Sequence, residues 1–224
     1  MIETLWTAVD DYIDGTLVLQ DGILEHAAKA SNAAGLPKIA VTPAQGKLLH
    51  ILARLLGARR ILEIGTLGGY STIWLARALP GDGRVVTLEI NREYAKVARE
   101  NIARAGLSSL VELRLGPALE ILPQIAAEKT APFDLIFIDA DKENIPAYFR
   151  LSQSLARQGA LIIVDNVVRD GRVLDAGSCD PDIQGIRRFN EMLKGDPRAC
   201  ATAIQTVGAK GYDGFAIVLV TAPE

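Results

Sequence analysis

The chain has little with which to build a disulfide-stapled or zinc-stapled scaffold. Only two cysteines occur in 224 residues, Cys179 and Cys200, outside any CxxC or metal-type spacing. They are expected to be free thiols in a reducing compartment. The two histidines, His26 and His50, both fall in helical stretches and read as ordinary helix residues, so a His/Cys zinc site is not expected. No apolar run approaches the roughly 20 residues needed to span a bilayer. The segment Met1–Trp6 is acidic and interrupted by polar residues, unlike a secretory signal. Positive charge is not in excess either. The net charge is −3 with both signs interspersed, which argues against a general nucleic-acid binder. A cytoplasmic protein without a membrane partner is the expectation.

Repeats, low-complexity tracts and Pro/Ser-rich linkers are also missing. With 49% apolar residues, 224 positions suit one domain, residues 1–224, with a sizeable core. Residues 1–36 read as helical. Leu5, Val9, Tyr12 and Ile13 share a face, and Leu17, Leu19, Ile23, Leu24, Ala27 and Ala28 continue the apolar pattern. Gly35-Leu36-Pro37 breaks it. Thr42-Pro43-Ala44-Gln45 then reads as a helix start, with Thr42 as N-cap, Pro43 at the first helical position and Gln45 completing a capping box. That helix should run to about Leu56, with Leu48, Leu49, Leu52 and Leu56 inward.

From residue 59 strand and helix alternate. Apolar runs fall at Arg60–Ile64, Val85–Leu88, Val111–Leu115, Leu135–Ile138 and Leu161–Val164, with helical stretches near 70–79, 91–105, 117–127 and 143–156. Continuous apolar runs of this kind mark parallel strands buried on both faces, joined by crossover helices. After a helical stretch near 181–194, Ala201–Val207 and Phe215–Val220 flank a Gly208–Gly214 turn region and read as a closing antiparallel hairpin. The expected architecture is α/β: a seven-stranded, mostly parallel open sheet with helices on both faces and an N-terminal helical extension.

In such sheets ligands sit beyond the carboxyl ends of the strands. The loop Gly65–Gly69 stands there, after the first strand and before a helix. Its pattern, Glu63-x-Gly65-x-x-Gly68-Gly69, lacks the GxGxxG spacing that cradles a dinucleotide pyrophosphate. A cofactor without phosphates needs no such cradle but does need a carboxylate for its amino end, and Glu63 lies within reach of the loop. Glu89 ends the second strand, where an acidic residue accepts hydrogen bonds from ribose hydroxyls. Glu89 alone suits NAD as well as S-adenosylmethionine, or simply leads into a helix capped by Asn91. The two features together favour S-adenosylmethionine.

Later strand ends add oxygen donors. The fourth strand ends Ile138-Asp139-Ala140-Asp141-Lys142 and the fifth Val164-Asp165-Asn166. Asp139, Asp165 and the Asn166 carbonyl form a set suited to a hard divalent cation, Mg²⁺ first, with Mn²⁺ or Ca²⁺ as alternatives. The alternative for either aspartate is to cap the turn or helix that follows it, and Asp141 reads as a solvated loop carboxylate.

Glu63–Ser71, Glu89, Phe137–Lys142 and Gly159–Asn166 together resemble the cation-dependent class I O-methyltransferases related to catechol and caffeoyl-coenzyme A O-methyltransferases. The resemblance runs from about Leu36 to Val220. It implies a Rossmann-like fold, a homodimer, S-adenosylmethionine as methyl donor and a phenolic small-molecule acceptor. It also implies roles. Asp139, Asp165 and Asn166 match the metal ligands, and Lys142 the general base, with a salt bridge from Lys142 to Asp141 or Glu143 as the alternative. Glu63, Gly65 and Ser71 match the region around the methionine end of the cofactor, and Glu89 the ribose ligand. Ala118 matches a backbone contact near adenine, Val41 and Thr42 a backbone contact at the domain entry, and Asp139 a neighbour of the cofactor amino group. Two positions depart from the pattern. Pro43-Ala44 replaces an acidic residue common before the Gln-Gly pair, and Val168-Arg169-Asp170 stands where many relatives carry an aromatic.

The acceptor pocket is expected from the helical extension (residues 1–42, which should also serve the dimer), the 167–180 loop and Tyr212-Asp213. Two other readings differ in partner or class. A hydroxyuridine in tRNA as acceptor would need a basic rim, for which Arg169, Arg172, Arg187 and Arg188 are candidates. An NAD(P) oxidoreductase on the same sheet is disfavoured by the missing GxGxxG.

Overall fold

The computed structural model describes residues 2–19 and 21–221. In chain order it comprises α1 (Ile2–Ile13), a π-helical turn (Asp14–Val18), α2 (Gly22–Ala33), α3 (Pro43–Leu55), β1 (Arg60–Ile64), α4 (Tyr70–Ala76), β2 (Arg84–Glu89) and α5 (Arg92–Arg104). There follow β3 (Val111–Leu115), α6 (Ala118–Ala127), β4 (Phe133–Ile138), α7 (Ile145–Leu155), β5 (Ala156–Asp165), a 3₁₀ turn (Arg172–Leu174), α8 (Pro181–Gly195), β6 (Ala199–Gly208) and β7 (Gly211–Val220).

The strands form one seven-stranded sheet in the order β3-β2-β1-β4-β5-β7-β6. Pairs from β3 to β5 are parallel, and β7 lies antiparallel to both β5 and β6. The expected architecture is therefore present, antiparallel hairpin included. After β1 the chain moves outward to β2 and β3, then returns to lay β4 on the other side of β1. That reversal opens a crevice beyond the carboxyl ends of β1 and β4.

Side-chain alternation divides the core into two layers. Leu62, Ile64, Val86, Leu88, Ile136, Ile138, Ile162 and Val164 face one way, with α6, α7 and α8 over them. Ile61, Val85, Leu135, Phe137 and Ile163 face the other way, against residues of α2, α3, α4 and α5. Both sheet faces are covered, so each central strand reads as a continuous apolar run.

The N-terminal region departs from the sequence expectation. Met1 and Gln20, within the stretch expected to be helical, lie outside the described residues. The rest is not one helical run. The π-helical turn ends at Leu19 in the left-handed region (φ +35°), and Asp21 starts α2 by accepting from the Ile23 and Leu24 N–H groups. Most of the apolar face of α1 is left uncovered by the chain: Leu5, Val9 and Tyr12 are exposed, while Ile13 packs on the core. Periodicity identified the helix and its stripe, but an amphipathic stripe does not say what covers it. Among the described residues no helix is long and apolar enough to cross a membrane, and Cys179 and Cys200 are free and exposed.

Candidate active site

The loop after β1 is shaped by contacts that only glycine permits. Gly65 has φ +102°, and a Cβ there would lie 2.0 Å from the Asp139 carbonyl oxygen. The main chains leaving β1 and β4 can thus run side by side, joined by the Asp139 N–H donating to Ile64 O at 2.8 Å. A Cβ on Gly68 would meet Ser31 Oγ of α2 at 2.0 Å, and Gly68 O accepts from the buried Asn101 Nδ2 of α5. The loop is thereby pinned between the sheet and two helices.

Glu63 lies beneath this loop and is fully buried. It sits in register with Thr87 on β2. Thr87 Oγ1 donates to Glu63 Oε2 at 2.6 Å, Ser71 Oγ donates to Oε1 at 2.6 Å, and Thr72 Oγ1 also donates to Oε2. Burial, and secondarily the charge of Asp139, push the Glu63 carboxyl up to about 7 against the pull of the three hydroxyls. In this geometry Glu63 fastens the first turn of α4 to the sheet. Ser71, expected beside it, reaches it from α4 together with Thr72.

Glu89, at the carboxyl end of β2, holds Leu67 N–H on Oε2 and Asn91 N–H on Oε1, each at 2.8 Å. Each oxygen keeps a further lone pair. Asn91 caps α5 as expected, accepting from Glu93 and Tyr94 N–H. Gly116 N–H donates to Glu89 O, which sets Ala118, the first residue of α6, beside the same rim.

Asp139, Lys142, Asp165 and Asn166 stand at the ends of β4 and β5. Lys142 Nζ donates to Asp139 Oδ1 at 2.9 Å. The ion pair of Lys142 goes to Asp139 in place of the expected alternatives Asp141 and Glu143, and Asp141 accepts from Asn144 and the Tyr148 hydroxyl. Asp165 is buried; Oδ1 accepts from Asn166 N–H (2.9 Å) and Oδ2 from Gln45 Nε2 (2.7 Å). Burial and then the charge of Asp139 raise its carboxyl, opposed by Lys142. Asn166 takes φ +59°, so the chain turns sharply after Asp165. Neither aspartate caps a helix. Among the described residues no group of three His, Cys, Asp or Glu side chains is poised for a metal. The predicted set is two carboxylates and an amide, and a buried Asp165 beside a half-buried Asp139 whose charge presses on it suits a hard cation with oxygen ligands.

The entry segment reaches this rim through α3. Val41 is buried, and Thr42 caps α3 by accepting from Gln45 N–H at 3.2 Å. Only half of the expected capping box forms, because the Gln45 side chain turns away to Asp165. A buried carboxylate oxygen gains more from that donor than the half-exposed cap does. His50 reads as expected, its Nδ1 lying 3.1 Å from Trp74 O.

Sequence reasoning missed Gly185, and it did not resolve what Asp213 and the rim arginines hold. Gly185 of α8 lies where a Cβ would come within 2.1 Å of Lys142 O and 2.7 Å of Glu143 Cα, so it lets α8 seat the Lys142 loop. A lone glycine inside a helical pattern was the available signal. Asp213 accepts from Val168, Arg169 and Gly214 N–H and holds the loop after Asn166. The four arginines of the candidate basic rim all have partners within the chain. Arg169 pairs with Asp182 and Arg172 with Asp180, while Arg187 donates to Val173 O and Arg188 to Glu143 O.

The family model described as O-methyltransferase matches residues 16–219. A protein of Niastella koreensis named catechol O-methyltransferase is 50% identical over 220 residues, 98% of this chain and 100% of that one. The crystal structure of an O-methyltransferase from Bacillus cereus in complex with SAH is 57% identical, with TM-score 0.96, covering 99% of this chain and 100% of that one. The O-methyltransferase of tomaymycin synthesis from Streptomyces achromogenes, in complex with SAM, is 54% identical with TM-score 0.97 and the same coverage. Fold, strand-end residues and these likenesses agree: the chain belongs to the O-methyltransferase family.

Proposed function

We propose that the chain transfers a methyl group from S-adenosylmethionine to a hydroxyl of a catechol-like or other phenolic small molecule, with the help of a divalent cation, Mg²⁺ first. The observation that carries this reading is the single rim that gathers the Glu63–Ser71 loop, Glu89 and the Asp139–Lys142–Asp165–Asn166 group. The names and bound ligands of the relatives support donor and acceptor class.

In this reading the Gly65–Gly69 backbone, with Gly65 and Ser71, borders the methionine end of the donor. Glu63 keeps that loop in place from below. Glu89 offers its remaining lone pairs to the ribose hydroxyls, and Ala118 lies against the adenine. Val41 and Thr42 close the entry side, and Asp139 faces the donor's amino group.

Asp139, Asp165 and Asn166 would hold the cation, with Gln45 orienting Asp165. A phenol has a pKa near 10, so ionising it at pH 7 costs roughly 4 kcal/mol. A bound cation supplies positive charge that offsets most of this cost. Lys142 Nζ, as the neutral amine, takes the acceptor proton, and its hydrogen bond to the Asp139 carboxylate keeps that nitrogen at the rim.

Asp180, Asp182 and the carbonyls of Val173 and Glu143 occupy the arginines that a tRNA phosphate would need, which favours a small acceptor. The working form proposed is a homodimer in the cytoplasm. The exposed Leu5, Val9 and Tyr12 of α1, beside Ile204 and Val207 on the edge strand β6, support self-association. The test is methyl transfer to catechol with the cation present and with it chelated.

A further inference from the structure

The tip of the β6–β7 hairpin makes contacts that the reading above does not use. Gly208 pairs with Gly211, so Ala209 and Lys210 form a two-residue turn, and Gly211 supplies the left-handed position at φ +92°. Three segments distant in sequence converge on this tip. Ala209 N–H donates to Asp10 Oδ2 of α1 at 2.7 Å, and a Cβ on Gly208 would lie 2.3 Å from the same oxygen. Farther along β7, Asp213 holds the 168–169 backbone. Between them, Lys210 Nζ donates to Ile39 O at 3.0 Å and to Ala40 O at 2.6 Å.

Those two carbonyls belong to the irregular stretch between α2 and α3. It is the stretch that leads directly into Val41 and Thr42. Its far end is fixed by Gln45 on Asp165. Its near end is fixed by Leu36 N–H on Ser31 O. Between these points the Lys210 ammonium bridges two consecutive carbonyls from 170 residues away. Burial works against the charge of this ammonium, Lys142 adds repulsion, and Asp139, Asp165 and Asp213 lie close enough to oppose both. The rim carboxylates therefore favour keeping it on this side of the hairpin.

We propose that Lys210 is a positioning residue: its ammonium clasps the 37–41 strap to the hairpin tip and so holds the Val41–Thr42 wall of the methyl-donor site. The inference rests on the reading that this wall borders the donor. Charge-assisted bonds to two carbonyls are stronger than neutral ones. Arginine at the same turn keeps charge and reach, whereas methionine keeps the stem and loses the donors.

The experiment measures S-adenosylhomocysteine affinity by isothermal titration, and backbone hydrogen exchange over residues 37–42, on the full chain. Lys210→Met should weaken S-adenosylhomocysteine by about tenfold, equivalent to about 1.4 kcal/mol. Exchange of the 37–42 amides should accelerate, while that of the β1 amides stays as in the wild type. Lys210→Arg should restore most of both. If Lys210→Met fails to fold, Lys210→Gln carries the same expectation, being uncharged and shorter. Unchanged affinity in the uncharged variants overturns the clasp, whether or not exchange accelerates. Loss of affinity without faster exchange in the strap overturns it too. A wild-type chain that does not bind S-adenosylhomocysteine at all refutes the functional reading itself, and the clasp with it.

Discussion

Replacing Glu63 by glutamine tests whether a buried carboxylate fastens the donor loop at a measurable cost. The native carboxyl is pushed up to about 7 from an ordinary value of 4.5, first by burial. Its folded-state pKa therefore lies above its unfolded one. Below about pH 4.5 both states carry the proton and the group is neutral in its effect. Between 4.5 and 7 the unfolded chain releases its proton first, so stability falls as pH rises, and above 7 the full cost is present. The rise from 4.5 to about 7 corresponds to about 3–4 kcal/mol at about 1.4 kcal/mol per tenfold change in proton affinity. Glutamine resembles the protonated form in shape and charge, and Ser71, Thr72 and Thr87 can each rotate a hydroxyl to meet it. The stability difference between Glu63→Gln and wild type should therefore move in favour of glutamine by about 3 kcal/mol between pH 4.5 and pH 8.5. Urea unfolding of both proteins at a series of pH values measures it. A difference that stays constant with pH would refute the reasoning, because Glu63 would then carry no raised pKa.

Two further substitutions probe the rim. Gly65→Ala forces a Cβ to 2.0 Å from the Asp139 carbonyl at a φ of +102°; it should cost more than ~2 kcal/mol of stability, read as a lowered urea midpoint. Lys142→Met removes the proton acceptor but no part of the donor loop. It should lower kcat by about 10²-fold or more while S-adenosylhomocysteine affinity stays at the wild-type value; an unchanged kcat removes Lys142 from the chemistry.

What the sequence made legible follows from how local each signal is. Ile61-Leu62 and Leu135–Ile138 are buried on both faces, so they announced parallel strands without any knowledge of neighbours. Glu63, Glu89, Asp139 and Asp165 were legible as strand-end acids because the runs before them fixed where each strand stops. Partners distant in sequence were not legible. Gln45 carries a sound local capping pattern, yet its side chain goes to a carboxylate 120 residues away. Nearer partners were hidden too: Arg169 and Arg172 looked available for phosphate because Asp182 and Asp180, 13 and 8 residues on, come to them through a largely irregular loop that carries no period to read. The stripe on α1 was legible as a stripe, but its exposure reflects what this chain leaves uncovered.

If a divalent cation and the donor loop act on one acceptor hydroxyl, methyl transfer must need both. Incubating the chain with catechol and S-adenosylmethionine in Mg²⁺, and following the monomethyl ether by mass spectrometry, tests this most directly. Product should form in Mg²⁺, fall to background in EDTA and return when Mg²⁺ is restored in excess. Full product formation in EDTA would contradict it.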